Sequence, residues 1–272
     1  MATRKHRKKR QLSSRGASRT GRGRAASSST PDAASEPLWL YGIHAVHAAL
    51  GNSRRQIHRL VTTESAAAAL PATAATPEIV DRQVIDEALP DGAVHQGLAA
   101  LVSPLDQPDL KQVLTSASDE TPILVLDQVT DPHNVGAILR SAAAFGAIAV
   151  ITTERHAPPE SGALAKAAAG VFERLPLVRV ANLARVIGQV AQANFWILGL
   201  DADGDRTLAE AQPARRTALV LGAEGAGLRR LTREACDEIV RLPIARDIDS
   251  LNVSNAAAVA LYELARKRGG SD

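Results

Sequence analysis

The sequence predicts an α/β fold: a largely parallel sheet with helices on both faces, preceded by a smaller α/β unit. Three features predict it. From Thr121 onward, short apolar runs alternate with stretches of helical spacing. The runs at 123–127, 147–152 and 218–222 are apolar at nearly every position, as strands buried on both faces are. Ahead of them, residues 38–104 carry their own mixture of strand and helix patterns.

Taken in order, residues 1–37 form a basic tail in which the first 24 hold ten Lys and Arg and no acid. Of the whole chain's 32 bases and 29 acids, that leaves 22 against 29, so the rest carries about −7. Such a tail cannot pack a core and is expected to be disordered, either as an electrostatic arm for phosphates or as a solvated end without a specific role. Residues 39–50 combine strand and helix spacing, 57–61 and 97–102 read as strands and 81–88 as a helix, while the alanine-rich 66–75 is ambiguous. Residues 105–120 read as a linker with a short helix. In the larger unit, 121–268, further strands fall at 177–180, 195–201 and 238–244, and helices at 134–145, 161–169, 182–193 and 253–268.

Composition narrows the chemistry. Aromatics at 3% exclude broad stacking platforms for single-stranded bases. The lone Cys236 excludes an intrachain disulfide and a thiolate zinc site, and His44, His47 and His95 lack a cluster of acids, so no metal is expected. No run approaches the ~18 apolar residues of a membrane span, and the N-terminus lacks the apolar core of a secretion signal. A cytoplasmic location, off the membrane, is expected.

Open parallel sheets bind ligands at the carboxyl ends of their strands, and three motifs fall there. The first runs Asp131-Pro132-His133-Asn134 into a helix that carries Arg140, with Gly136, Ala137, Ala143 and Ala144 around it. Asn134 is placed to cap that helix. Alone, this motif fits a structural cap and a solvent-facing Arg as well as a site. The second, Gly222-Ala223-Glu224-Gly225-Ala226-Gly227, sets one carboxylate in a glycine-rich turn. Its spacing is not Gly-x-Gly-x-x-Gly, and its acid would repel a pyrophosphate, which argues against a nucleotide-dependent dehydrogenase. In the third, Ser250, Asn252, Ser254 and Asn255 crowd the start of an apolar helix, where one capping residue would suffice.

In this order and spacing the three segments resemble motifs 1, 2 and 3 of the SpoU-type 2′-O-ribose methyltransferases of the SPOUT superfamily, over roughly residues 120–268. Lys166, Gly170, Pro176 and Asn182-Leu183 resemble the stretch between motifs 1 and 2. Tyr41-Gly42-Ile43-His44-Ala45-Val46 and His95-Gln96-Gly97 resemble the family's small, ribosomal-protein-like RNA-binding domain. The pairing is most similar to the 23S ribosomal RNA guanosine-2′-O-methyltransferase subgroup.

The resemblance implies a SPOUT-type sheet with a C-terminal trefoil knot, a homodimer whose active sites combine both subunits, S-adenosyl-L-methionine as cofactor and ribosomal RNA as partner. It also implies that backbone around Gly222, Leu242 and Leu251 holds the adenosyl part, and that Arg140, Asn134, Glu224, Asn252 and Ser250 line the catalytic pocket. Because a free guanidinium stays protonated, Arg140 is expected to pin an RNA phosphate and stabilise the developing alkoxide, while Glu224 orients Arg140 or takes the proton. Two rivals are a transfer RNA substrate and a non-catalytic RNA-binding ribosome-assembly factor. The presence of Asn134, Arg140, Glu224 and Asn252 together argues against the second.

Overall fold

The computed structural model describes residues 36–71, 76–106, 108–118, 120–212, 216–245, 247–248 and 250–269. All of the expected basic tail except Glu36 and Pro37, and part of the alanine-rich stretch, lie outside the described residues.

The first sheet is built from β1 (Leu38–Tyr41), β2 (Ile57–Thr62), β3 (Glu78–Ile79) and β4 (Leu98–Val102), in the order β1-β4-β2-β3. Helices α1 (Ile43–Leu50), α2 (Glu64–Ala67) and α3 (Arg82–Ala88) connect its strands. Leu40, Val46, Leu60, Leu98 and Val102 are buried together between α1 and the sheet. His95 has a structural role here. Its Nδ1 accepts from Gly97 N at 3.1 Å, which leaves Nε2 to donate to Asp86 Oδ1 at 2.9 Å.

After α4 (Leu110–Thr115), capped by Asp109, comes the second sheet. Its strands are β5 (Ile123–Leu126), β6 (Ala149–Thr153), β7 (Leu177–Val180), β8 (Trp196–Leu200), β9 (Arg206–Thr207), β10 (Thr217–Leu221) and β11 (Glu238–Arg241). They lie in the order β7-β6-β5-β10-β8-β11-β9, and every pairing is parallel. Side chains alternate across each strand. Leu124 and Leu126 therefore face a core shared with α5 (Pro132–Ala144), α6 (Gly162–Ala167) and α9 (Val253–Gly269), whereas Ile123 and Val125 face α4 and α7 (Leu183–Gln192). The helices bury matching stripes. Val135, Ile138, Leu139 and Ala142 on α5 follow helical spacing, as do Leu183, Val186, Ile187 and Val190 on α7. A short α8 (Arg230–Glu234) precedes β11. Strands β3 and β9, at two residues each, are too short to leave a periodic signal. Among the described residues no helix is long and apolar enough to cross a membrane.

The two sheets are joined by a buried ion cluster. Arg55, just before β2, has a side chain with no exposed surface and donates from Nη2 to Glu173 Oε1 at 2.6 Å. Its Nη1 reaches Glu160 Oε1 at 2.7 Å and Ser103 O at 2.7 Å, and Asn52 Nδ2 donates to Glu173 Oε2 at 2.7 Å. Burial pushes the Glu160 carboxyl up despite the pull of Arg55. Beside this cluster, α6 packs so tightly on β1 that a Cβ at Gly162 would sit 2.4 Å from Trp39 O. Because removal of the shared cation strands two carboxylates in a dry site, Arg55→Ala should cost about 3–5 kcal/mol of stability. Denaturant unfolding should show it, while Glu234→Ala, which breaks only the exposed Arg230–Glu234 pair, should barely move the midpoint.

Candidate active site

Strand β10 is buried along its length between β5 and β8, and its carboxyl end opens into the glycine-rich turn. The turn folds back on itself, with Ala223 N donating to Gly227 O at 3.2 Å and Gly227 N to Ala223 O at 3.0 Å. Gly222 is required by this closeness, since a Cβ there would lie 2.1 Å from the Gly227 carbonyl carbon. Gly225 and Gly227 take φ of 78° and 64°, the left-handed region that suits glycine. Buried Asp127, one residue past β5, anchors the far side of the turn by accepting from Arg229 Nε at 2.6 Å and Arg229 N at 3.1 Å.

The turn presents Glu224 to two helix starts. Glu224 Oε1 accepts from Asn134 Nδ2 at 3.0 Å, Asn252 Nδ2 at 2.8 Å and Val253 N at 3.4 Å. Asn252 Nδ2 also donates to Asn134 Oδ1 at 3.0 Å. Asn134 does not cap α5. That role belongs to Asp131, whose side chain accepts from His133 N at 2.9 Å ahead of Pro132, a residue with no N–H to satisfy. Asn134 is thereby free to turn inward, where it is buried. The crowding of polar residues before α9 resolves similarly: Asn252 Oδ1 accepts from Ser254 N at 2.9 Å and Ser254 Oγ at 2.6 Å, capping the helix while its Nδ2 holds Glu224.

A cavity of about 400 Å³ opens beside this cluster. Gly222, Glu224, Leu242, Ser250 and Leu251 line it, and Asn134 and Asn252 adjoin it through Glu224. Asp201, Asp203 and Ile244 line it too. Ile244 follows Leu242 in the third motif, but the motifs do not include Asp201 or Asp203, although a readable signal existed: Asp201 follows β8, the neighbour of β10, at the carboxyl edge of the sheet. Asp201 is oriented by Arg233, 3.2 Å away.

Arg140 is not among the residues lining this cavity. It lies on the exposed face of α5, bordering a separate hollow with Ala137, Ala143, Ala144 and Arg174. Of the small residues flanking it, Gly136 serves backbone packing against α6, because its Cβ would meet Ala167 Cβ at 2.4 Å. Burial pushes the Cys236 thiol up to about 12, so it offers no thiolate nucleophile at neutral pH. Among the described residues no His, Cys, Asp and Glu cluster could hold a metal.

Comparison with known proteins matches the chain to a lineage. The profile of the SpoU rRNA Methylase family matches residues 121–262, and that of RNA 2′-O ribose methyltransferase substrate binding matches residues 39–108. The chain is 40% identical over 240 residues to the 23S rRNA (guanosine-2′-O-)-methyltransferase RlmB of Escherichia coli strain K12, covering 84% of this chain and 98% of that protein. The RlmB of Yersinia pestis is 42% identical over 248 residues, covering 85% and 97%. The fold is similar to that of the SpoU methyltransferase AviRb from Streptomyces viridochromogenes in complex with AdoMet, with a TM-score of 0.75 at 24% identity over 87% of this chain and 92% of that one. The chain belongs to the SpoU rRNA methylase family.

Proposed function

We propose that this protein transfers a methyl group from S-adenosylmethionine to the 2′-hydroxyl of a guanosine ribose in 23S ribosomal RNA, acting in the cytoplasm as a homodimer. The substrate is inferred from relatives that bear this activity in their names and are aligned over 97–98% of their length. The observation that carries the chemistry is Glu224. Its Oε1 is held by three donors, while no donor among the described residues reaches Oε2 at the mouth of the cavity.

The cavity suits the cofactor by size and lining. Leu242, Ile244 and Leu251 supply apolar contact for an adenine, Gly222 gives unobstructed backbone, and Asp201, Asp203 and Glu224 favour a cation. When bound, S-adenosylmethionine supplies an electrophilic methyl carbon on a sulfonium. The protein's task is to align the ribose oxygen and take its proton. Glu224 Oε2 accepts that proton, Asn134 and Asn252 fix the carboxylate's direction, and Ser250 contributes a hydroxyl at the rim. The trefoil knot implied by the family resemblance belongs to the same proposal, in which the loops after β8, β10 and β11 enclose the donor.

Arg140 completes the pocket from a second copy of the chain. The face beside it is suited to a partner, because α9 there exposes Val259 and Tyr262, with the Tyr262 ring edge-on to Phe145 at 6.3 Å between centroids. From that position Arg140 pins an RNA phosphate and stabilises the developing alkoxide.

Arg140→Ala should abolish methyl transfer and leave cofactor affinity, measured calorimetrically, largely unchanged. Glu224→Gln should lower turnover by about 10²–10⁴-fold. Mixing the two inactive variants should restore about a quarter of wild-type activity, because half the dimers would hold one intact composite site. Failure to complement would place Arg140 and Glu224 in the same subunit's site. Deleting residues 1–30, which lie outside the described residues, should weaken RNA binding and flatten its salt dependence. Mapping 2′-O-methyl groups in ribosomal and transfer RNA from a strain lacking the protein tests the substrate directly. Loss of a mark in transfer RNA alone would overturn the assignment.

A further inference from the structure

Arg174 borders three hollows at once. It shares one with Arg140, a second with Arg54 and Arg179, and a third with Gly51 and Asn52 at the end of α1. We propose that Arg140, Arg174, Arg54 and Arg179 form a track for the phosphates of an RNA strand, leading from the reacting ribose to the N-terminal sheet. The proposal rests on the RNA-methyltransferase reading and adds to it the route of the substrate.

None of these four forms an ion pair with a carboxylate among the described residues, Glu160 acting on Arg179 only through space, whereas several other exposed arginines are paired, as in Arg59–Glu78, Arg230–Glu234 and Arg266–Glu263. Arg54 and Arg179 each spend one guanidinium nitrogen on a carbonyl, Glu173 O at 3.4 Å and Pro158 O at 2.6 Å. That steadies the fork and leaves its other donors for a ligand. The nearby acids Glu160 and Glu173 share the one Arg55 guanidinium, which offsets one of their two charges, and burial pushes the Glu160 carboxyl up toward its neutral form, so their repulsion of a phosphate is reduced. Exposed Asp106 also borders the second hollow and is the carboxylate a strand must clear. Burial lowers the Arg179 guanidinium below its ordinary value against the smaller pull of Glu160, and a phosphate beside it would oppose that shift further. Without its first 24 residues the chain carries about −7, so this unpaired stripe offers a polyanion local attraction on an otherwise repelling body.

The test uses the full-length protein and a 23S ribosomal RNA transcript. Arg174→Ala and Arg54→Ala should each raise the KM for RNA with kcat and cofactor affinity kept. Each should reduce the slope of log affinity against log salt by about 0.7–0.9. Arg174→Lys should restore the slope, and Arg185→Ala, on α7 across the sheet, should leave it unchanged. Unaltered slopes and KM in both alanine variants of an enzyme that methylates the transcript would overturn the track alone. A wild-type protein that methylates no RNA would instead bring down the underlying reading.

Discussion

One carboxylate oxygen, Glu224 Oε1, ties together three segments that are far apart in sequence. It takes hydrogen bonds from the first turn of α5, from the residue that caps α9 and from the first backbone N–H of α9. Bonds to an ionised acceptor are the stronger kind, and both helices present their positive ends to it. The turn after β10 can hold that position because glycine permits its near-contact at Gly222 and its left-handed residues at Gly225 and Gly227. The cavity wall and the direction of the carboxylate are thus set by one interaction.

The sheet explains why these segments meet. Strands β5, β6 and β7 step outward on one side, β8, β11 and β9 lie on the other, and β10 is wedged between β5 and β8. A crevice forms at the carboxyl ends where the order reverses, and α5 and the turn after β10 both begin there. The N-terminal sheet is attached elsewhere, through Arg55 and the tight contact of α6 with β1. A buried ion pair is weak evidence for stability, but its geometry fixes orientation, and here it fixes one sheet against the other.

Much of this was legible in the sequence. The apolar runs located the parallel strands, and the three motifs located Glu224, Asn134 and Asn252, because chemistry at a strand end needs glycines, caps and polar groups within a few residues. Roles within a motif were harder to read. Asn134 looked like a cap because Asn is a common one, yet Asp131 stands ahead of Pro132 and takes that place. The Arg55 cluster left no trace, since Arg55 and Glu173 are 118 residues apart and neither belongs to a periodic pattern. Arg140 stands out in the sequence among its small neighbours, but no spacing rule shows that it turns away from its own chain's cavity.

Asn252 also constrains how the protein can vary. Its two ends do opposite jobs: the oxygen accepts hydrogen bonds from the N–H groups of α9, and the nitrogen donates hydrogen bonds to Glu224 and Asn134. Aspartate has nearly the same shape and would serve the helix as well. It would also set oxygen against oxygen where a 2.8 Å hydrogen bond now stands. The closest steric substitute is therefore a chemical opposite, and a change that leaves the helix folded would still undo the site.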